Sequence, residues 1–273
     1  MSELETAVPA ARRASSSSSP RSMRAGGGLL AARIGVLAAL VAIWYVVARL
    51  GWVSPTVLSP PGTVFAWLGN AFADVQFWSD LAATMLATVI AWVLATAAGV
   101  VVGIVLALLP RLERVVDPFL SALNAMPRIA LAPVFVVAFG LTINAKIALA
   151  FSLVLFISIS AARAGVASVD LDHTRLAEVL GASKVQKFTK ILLPVAVPAI
   201  FGGIRLGLVY ALLGTVTAEL IGSTDGIGQE LQTAAGQFQI EAMYGLLIVL
   251  AVIASLINAA MGALERRILQ WQP

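Results

Sequence analysis

Long apolar runs, most of them near the ~20 residues that carry a helix across a bilayer, alternate along this chain with short polar interruptions. They predict spans at about 29–50, 81–109, 119–141, 147–162, 195–220 and 244–264. The two-residue alternation of membrane strands is absent. Backbone groups left unpaired in lipid are costly, so the expected architecture is an all-α integral membrane protein with about six transmembrane helices. Two spans carry irregularities. The third is interrupted by Pro127 and Pro133 with Arg128 inside the break, and the fifth starts at Pro194 and Pro198, is rich in glycine and holds Arg205 and Glu219. A broken helix at membrane depth is tolerated where protein or a watery cavity satisfies the freed carbonyls. The third segment therefore reads either as the lining of a pathway or as a kink against neighbours. Gly99 and Gly103 in the second span form a small-xxx-small pair, a packing seam or a chance match in a glycine-rich chain.

Composition agrees with the pattern: 60% of the residues are apolar and 12% charged, against about 25% charged in a soluble domain. Residues 1–28, with Arg12, Arg13, Arg21, Arg24 and the Ser15–Ser19 run, bury little and are expected to be a disordered cytoplasmic tail. The apolar run after them is longer than the ~7–15 residues of a secretory signal. Residues 51–80, with Pro55, Pro60, Pro61, Trp52, Trp67 and Trp78, suit a connector at the membrane surface with short amphipathic helices. If the N-terminus is inside, 15 of the 18 Lys and Arg residues fall on the inner side. Asp74, Asp80, Asp225, Glu230 and Glu241 fall in the outer connectors. This bias places both termini in the cytoplasm and explains the net charge of +4 without nucleic acid.

Candidate chemistry is sparse. With no cysteine and one histidine there is no thiol nucleophile and no thiolate- or histidine-based metal site. No GxxxxGK[ST] loop occurs, and Gly226-Ile227-Gly228 lacks the remaining glycines and the strand-to-helix setting of a nucleotide loop. No enzyme activity, metal or cofactor is expected of this chain. The most informative stretch is instead the charged island from Asp172 to Pro194. Leu176, Val179 and Leu180 share one helical face, and Gly181 supplies a stop. Ser183 and Gln186 match a capping box that restarts a helix carrying Lys184, Lys187 and Lys190 on one side, expected to end before Pro194. Two readings of this cytoplasmic helix pair stand, a docking site for a partner and an ordinary charged loop.

Beyond this pattern, Gly181, nine intervening residues, Ile191, Leu193 and Pro194 reproduce the second half of the motif E-A-A-x3-G-x9-I-x-L-P. Ala177 fills its third position, Arg175 and Leu176 replace the usual Glu and Ala, and Glu178 is one place out of step. Together with LNAMPRIALAPVFVVAFG at 123–140, AELIGSTDGIGQEL at 218–231 and LERRILQW at 264–271, the chain resembles ABC transporter permeases of the binding-protein-dependent type I importers, in their nitrate, sulfonate and taurine branch.

The resemblance implies that residues 29–273 are the permease domain, with a cytoplasmic coupling helix between spans 4 and 5. A second permease copy, two ATP-binding subunits that hold ATP and Mg, and an extracytoplasmic solute-binding protein would complete the importer in the bacterial cytoplasmic membrane. Arg175, Ala177, Glu178, Gly181, Ala182, Ser183, Lys184, Lys187, Ile191, Leu193 and Pro194 would then meet the ATPase. The implied cargo is a small sulfonate-, taurine- or nitrate-type anion, with a heterocyclic or pyrimidine precursor as the alternative. Pro127, Arg128, Pro133, Arg205 and Glu219 are the candidate pathway residues. Arg128 and Arg205 either attract the anion or snorkel from helix ends, and Glu219 either touches the binding protein or caps its helix. An ion-coupled carrier is the competing class, for which only Glu219 and Arg205 stand within spans and no inverted repeat is visible. A non-transporting scaffold would explain the charged island but not the broken third segment.

Overall fold

The computed structural model describes residues 22–54 and 56–270, so residues 1–21, most of the expected tail, lie outside the described residues. The first helix, α1 (Ser22–Arg49), begins inside the segment assigned to that tail. It belongs to a unit ending at Trp52, and the second unit begins at Val53. Within α1, Ile34, Leu37 and Leu40 are exposed, as suits a lipid-facing helix, and the Arg49 guanidinium lies 5.8 Å from the Tyr45 ring centre.

The second unit comprises α2 (Pro61–Ala71), α3 (Val75–Leu108), α4 (Pro110–Ala125), α5 (Ala132–Phe139), α6 (Ile143–Ala167), α7 (Leu171–Val179), α8 (Lys184–Lys187), α9 (Leu193–Ile221), α10 (Ile227–Gly236) and α11 (Ile240–Ile268). Among the described residues five helices are long and apolar enough to span a membrane, or six if α4 and α5 count as one bent span. Helix caps move two expected boundaries. Asp74 accepts the Gln76 N–H at 3.0 Å and starts α3 six residues before Leu81. Thr142 accepts the Asn144 N–H at 3.3 Å and starts α6 at Ile143, which draws Lys146 from the expected loop into the first turn of a span.

The core lies where α3, α6 and α9 pack together. Each presents a stripe of small residues at helical spacing: Ala87, Ala91, Ala95, Gly99 and Gly103 on α3; Ala150, Ser158, Ala162 and Gly165 on α6; Ala196, Gly203, Gly207, Ala211 and Gly214 on α9. Between helices in lipid the attraction is close packing and hydrogen bonding rather than exclusion of water, so small residues that admit neighbouring backbones carry the association. The Gly99–Gly103 pair is such a seam. A Cβ on Gly99 would stand 2.5 Å from Ser158 Cβ, and one on Gly103 2.6 Å from the Ile159 carbonyl oxygen. Trp92 adds a cross-helix hydrogen bond from Nε1 to the Ile204 carbonyl, 2.9 Å.

The third run is broken at Pro127 as expected: α4 and the short 3-10 turn leading into α5 are bent by 82°. Met126, directly before Pro127, adopts an extended conformation because the proline ring disfavours the helical region for the preceding residue. One expectation needs correction: the helix begun at Lys184 does not end before Pro194. It continues through one wide π turn, Phe188–Leu192, into α9, as one helix from Lys184 to Ile221. Pro194 removes an N–H from the α ladder, and the wide turn directly before it, in which the Leu193 N–H reaches the Phe188 carbonyl, carries the chain past the gap.

Candidate functional site

The charged island folds into the helix, turn and helix expected of it. Asp170 caps α7, accepting the Asp172 N–H at 2.9 Å. The helix ends at Gly181, whose φ of +77° is a left-handed conformation that favours glycine. Ala182 N–H returns to the Ala177 carbonyl at 2.9 Å and closes the turn. Ser183 and Gln186 form the reciprocal capping box, at 3.2 and 2.8 Å, that starts α8. Lys187 donates to Glu178 across the turn at 2.7 Å, and its ammonium holds the Glu178 carboxyl below the usual carboxylate range. Arg175 reaches Asp172 at 3.7 Å, and Lys184 is exposed.

The turn therefore takes its stability from backbone and capping contacts and leaves an outer surface unpartnered. Leu176, Val179, Leu180 and Val185 are all exposed there, although this segment lies outside the spans. Ala177 is buried beneath them rather than on the surface. A groove of about 570 Å³ follows, with Leu176, Leu180, Ile191 and Pro194 among its lining residues. Leu193 begins α9 beside it. Exposed apolar side chains rimmed by Arg175, Lys184 and Lys187 are the composition of a docking surface.

At the bend, Pro127 precedes the 3-10 turn opened by Arg128, and Pro133 sits in the first turn of α5. Arg128 donates to the Leu153 carbonyl at 3.4 Å and to the Asn124 side chain, and lies 4.2 Å from the Phe156 ring centre. Closer to the start of α4, Arg163 of α6 donates to Glu113 at 2.8 Å and Asp117 at 2.7 Å, which ties the two helices together.

Glu219 and Arg205 occupy different settings. Arg205 Nε donates to Asn258 at 2.8 Å and Nη1 to Glu265 at 2.9 Å, joining α9 to α11. Replacing Arg205 or Glu265 by alanine is expected to lower thermal stability by similar small amounts, about 1 kcal/mol or less. A double-mutant cycle on unfolding in detergent should give less than the sum; strict additivity would deny the pair.

Glu219 is fully buried at the far end of α9. Lys146, also buried, donates to it at 3.1 Å and to both the side chain and the carbonyl of Asp225. Thr84 of α3 donates to Glu219 at 2.9 Å. Three successive backbone N–H groups at the start of α10 complete the cluster: Gly226 to Asp80 at 2.7 Å, Ile227 to Thr84 at 2.9 Å and Gly228 to Glu219 at 2.9 Å. A helix N-terminus favours the two carboxylates it faces. Gly226 has φ +105°, and a Cβ there would fall 2.1 Å from Glu219 Oε1, so only glycine fits. Nearby, burial pushes the Glu230 carboxyl above its usual range, and Asp80 and Asp74 add to the shift.

Sequence reasoning missed this cluster. It placed Lys146, Asp80 and Asp225 in exposed connectors, whereas Asp80 and Lys146 are buried inside α3 and α6. The available signal was a lysine at the outer end of one predicted span and a glutamate at the outer end of the next, followed by Asp-Gly-x-Gly. Ion pairs inside a bundle join such ends.

A family model described as binding-protein-dependent transport system inner membrane component matches residues 99–270. The chain is 34% identical over 243 residues to the taurine transport system permease protein TauC of Escherichia coli (strain K12), covering 87% of this chain and 88% of TauC. It is 32% identical over 235 residues to the putative aliphatic sulfonates transport permease protein SsuC of Bacillus subtilis (strain 168), covering 86% and 85%. Among solved structures, an inward-facing MetNI methionine ABC transporter aligns with 70% of this chain and 94% of its own at a TM-score of 0.62. At 18% identity that likeness is one of fold.

Proposed function

Since this chain belongs to the family of binding-protein-dependent transport system inner membrane components, we propose that it forms the translocation pathway for a small solute with an anionic sulfonate group, such as taurine or an alkanesulfonate. It is a multi-span permease subunit of an ABC importer, and it transports rather than catalyses. Such a permease works with an ATPase and a solute-binding protein. In our reading two copies of this chain pair in the bacterial cytoplasmic membrane, both termini face the cytoplasm, residues 1–28 form a tail there, and two ATP-binding subunits bind ATP and Mg. The observation that carries the substrate class is similarity to two sulfonate-transporting relatives along more than four-fifths of each chain.

The mechanism follows from connectivity. The turn at Gly181 is bound to α6 through α7 and runs without interruption into α9. An ATPase seated on Leu176, Val179, Leu180 and Val185 would move the ends of two core helices together. Nucleotide can change the conformation only if this contact differs between the two states, and the long helix carries that difference toward the outer cluster. Pro127, Arg128 and Pro133 would line the path, while Arg205 and Glu219, held by partners on other helices, would shape its walls.

The test is reconstitution with its partner ATPase and solute-binding protein. The binding protein should select taurine or an alkanesulfonate, and uptake should require ATP. Uptake that persists on a proton gradient after ATP depletion would point to an ion-coupled carrier. Gly181→Asp is a sharper probe of docking. Open space surrounds Gly181, so the side chain fits at a backbone cost of about 1–2 kcal/mol. The protein should insert normally while uptake falls about tenfold or more, the effect of losing a central contact; normal uptake would refute the assignment.

A further inference from the structure

Arg128 sits where a snorkelling arginine cannot. Its guanidinium is held at the Leu153 carbonyl and the Phe156 ring, near the middle of α6, which runs from Ile143 to Ala167. At 1.5 Å per residue this leaves about 15–21 Å of helix on either side. Its neighbours there are a carbonyl, an amide side chain and an aromatic face, none of them anionic. Among the described residues no carboxylate pairs with it, whereas Arg163 has two and Arg205 has one. Its Nε is buried with no hydrogen-bond partner. A cation held at mid-depth without a counter-charge is costly and calls for an anion.

A small polar cavity shares two of the groups that hold Arg128. A cavity of about 80 Å³ is lined by Ser121 and Asn124 of α4 and by Phe156, Ser160 and Arg163 of α6. Asn124 and Phe156 are also the groups that hold Arg128. Ser121, Asn124 and Ser160 are exposed in the single chain although Ser160 lies within a span. Hydroxyl and amide groups at that depth suit a watery path better than lipid. The 82° bend is what brings the arginine back onto the middle of α6 beside this polar face.

We infer that Arg128, with the hydroxyl and amide groups of Ser121, Asn124 and Ser160, forms an oxyanion-binding step at the middle of the membrane, where the charged headgroup of the cargo pauses during transport. This rests on the proposal above that the cargo carries an anionic sulfonate group. A planar guanidinium matches the geometry of a tetrahedral oxyanion, and the small hydroxyls supply neutral donors that leave the hold weak enough for release.

The experiment is ATP-driven uptake of radiolabelled taurine and ethanesulfonate into vesicles holding the whole importer, with wild type, Arg128→Gln, Arg128→Lys and Ser160→Ala. Normal membrane abundance and co-purification with the ATPase report folding. The maximal rate should fall about tenfold or more in Arg128→Gln, the loss of a charge-assisted contact. Arg128→Lys should recover part of it because the charge is kept, and Ser160→Ala, which leaves the arginine in place, should reduce it by a smaller factor. Wild-type rates in Arg128→Gln, or equal loss in Arg128→Gln and Arg128→Lys, would overturn the site while leaving the cargo assignment intact. Should wild type carry neither taurine nor ethanesulfonate, the cargo assignment fails first and the site falls with it. Should Arg128→Gln fail to accumulate, the Ser160→Ala and Arg128→Lys rates decide, since wild-type rates in both would overturn the site.

Discussion

Replacing Lys146 by methionine is expected to destabilise the protein by about 3–5 kcal/mol, because it leaves the buried Glu219 carboxylate without its cation. Among the described residues Lys146 is the only ammonium bonded to Glu219, and both are buried. The surrounding donors, Thr84 and the Gly228 N–H, lower the cost of the carboxylate but carry no full charge. Glu219→Gln in the same background removes the orphaned charge and keeps an acceptor, so the double variant should recover on the order of 1–2 kcal/mol relative to the sum of the singles. Thermal unfolding in detergent, supported by membrane abundance, measures this. A Lys146→Met protein that melts with wild type would mean the pair contributes nothing. The effect should reach transport as well. Lys146, Glu219, Thr84 and Asp225 bind α6, α9, α3 and the α9–α10 connection at one level, so loosening them frees the ends of two helices, α6 and α9, to which the turn at Gly181 is joined.

Gly103→Val is expected to be as damaging for a different reason. The added Cβ would meet the Ile159 carbonyl oxygen at 2.6 Å, Ala162 Cβ at 2.7 Å and Ile159 Cα at 3.1 Å. None of these is the free end of a flexible side chain, so α3 and α6 must separate along their small-residue seam. Overpacking of this kind costs about 3 kcal/mol or more when backbones have to shift. Gly103→Ala should cost less, about 1–3 kcal/mol, since it adds only the Cβ. Gly62→Ala, where a Cβ meets nothing within 4 Å, should stay within about 0.5 kcal/mol of wild type. Equal melting of Gly103→Val and Gly62→Ala would show that the seam is not tight. The contrast separates glycine as a packing device from glycine as a common residue of membrane helices.

The turn at Gly181 is legible in the amino-acid sequence because its signals are local. A helix stop at Gly181, a capping box at Ser183 and Gln186 and the spacing to Pro194 all concern residues within a few turns of one another. The continuation of the helix through Pro194 is not legible there. Proline is normally a helix terminator, and the wide turn that carries the chain past it has no residue signature of its own. The cluster around Glu219 is illegible for a further reason. Asp80, Lys146 and the stretch from Glu219 to Asp225 lie far apart in the chain, and Asp80, Lys146 and Asp225 each resemble the charged edge of a connector.

What the sequence by itself determined, then, is what lipid and helix periodicity dictate residue by residue: an all-α membrane chain of about six spans, a charged turn between the fourth and fifth, and a break at Pro127. The tertiary structure decided which charges are paired and where they stand in depth. Glu219 became half of a buried ion pair and Arg205 a link between two helices, while the 82° bend carried Arg128 to the middle of α6 beside neutral groups. The physical reason is that the cost of a charge in a membrane depends on its depth and its counter-charge, and both are set by residues distant in the chain.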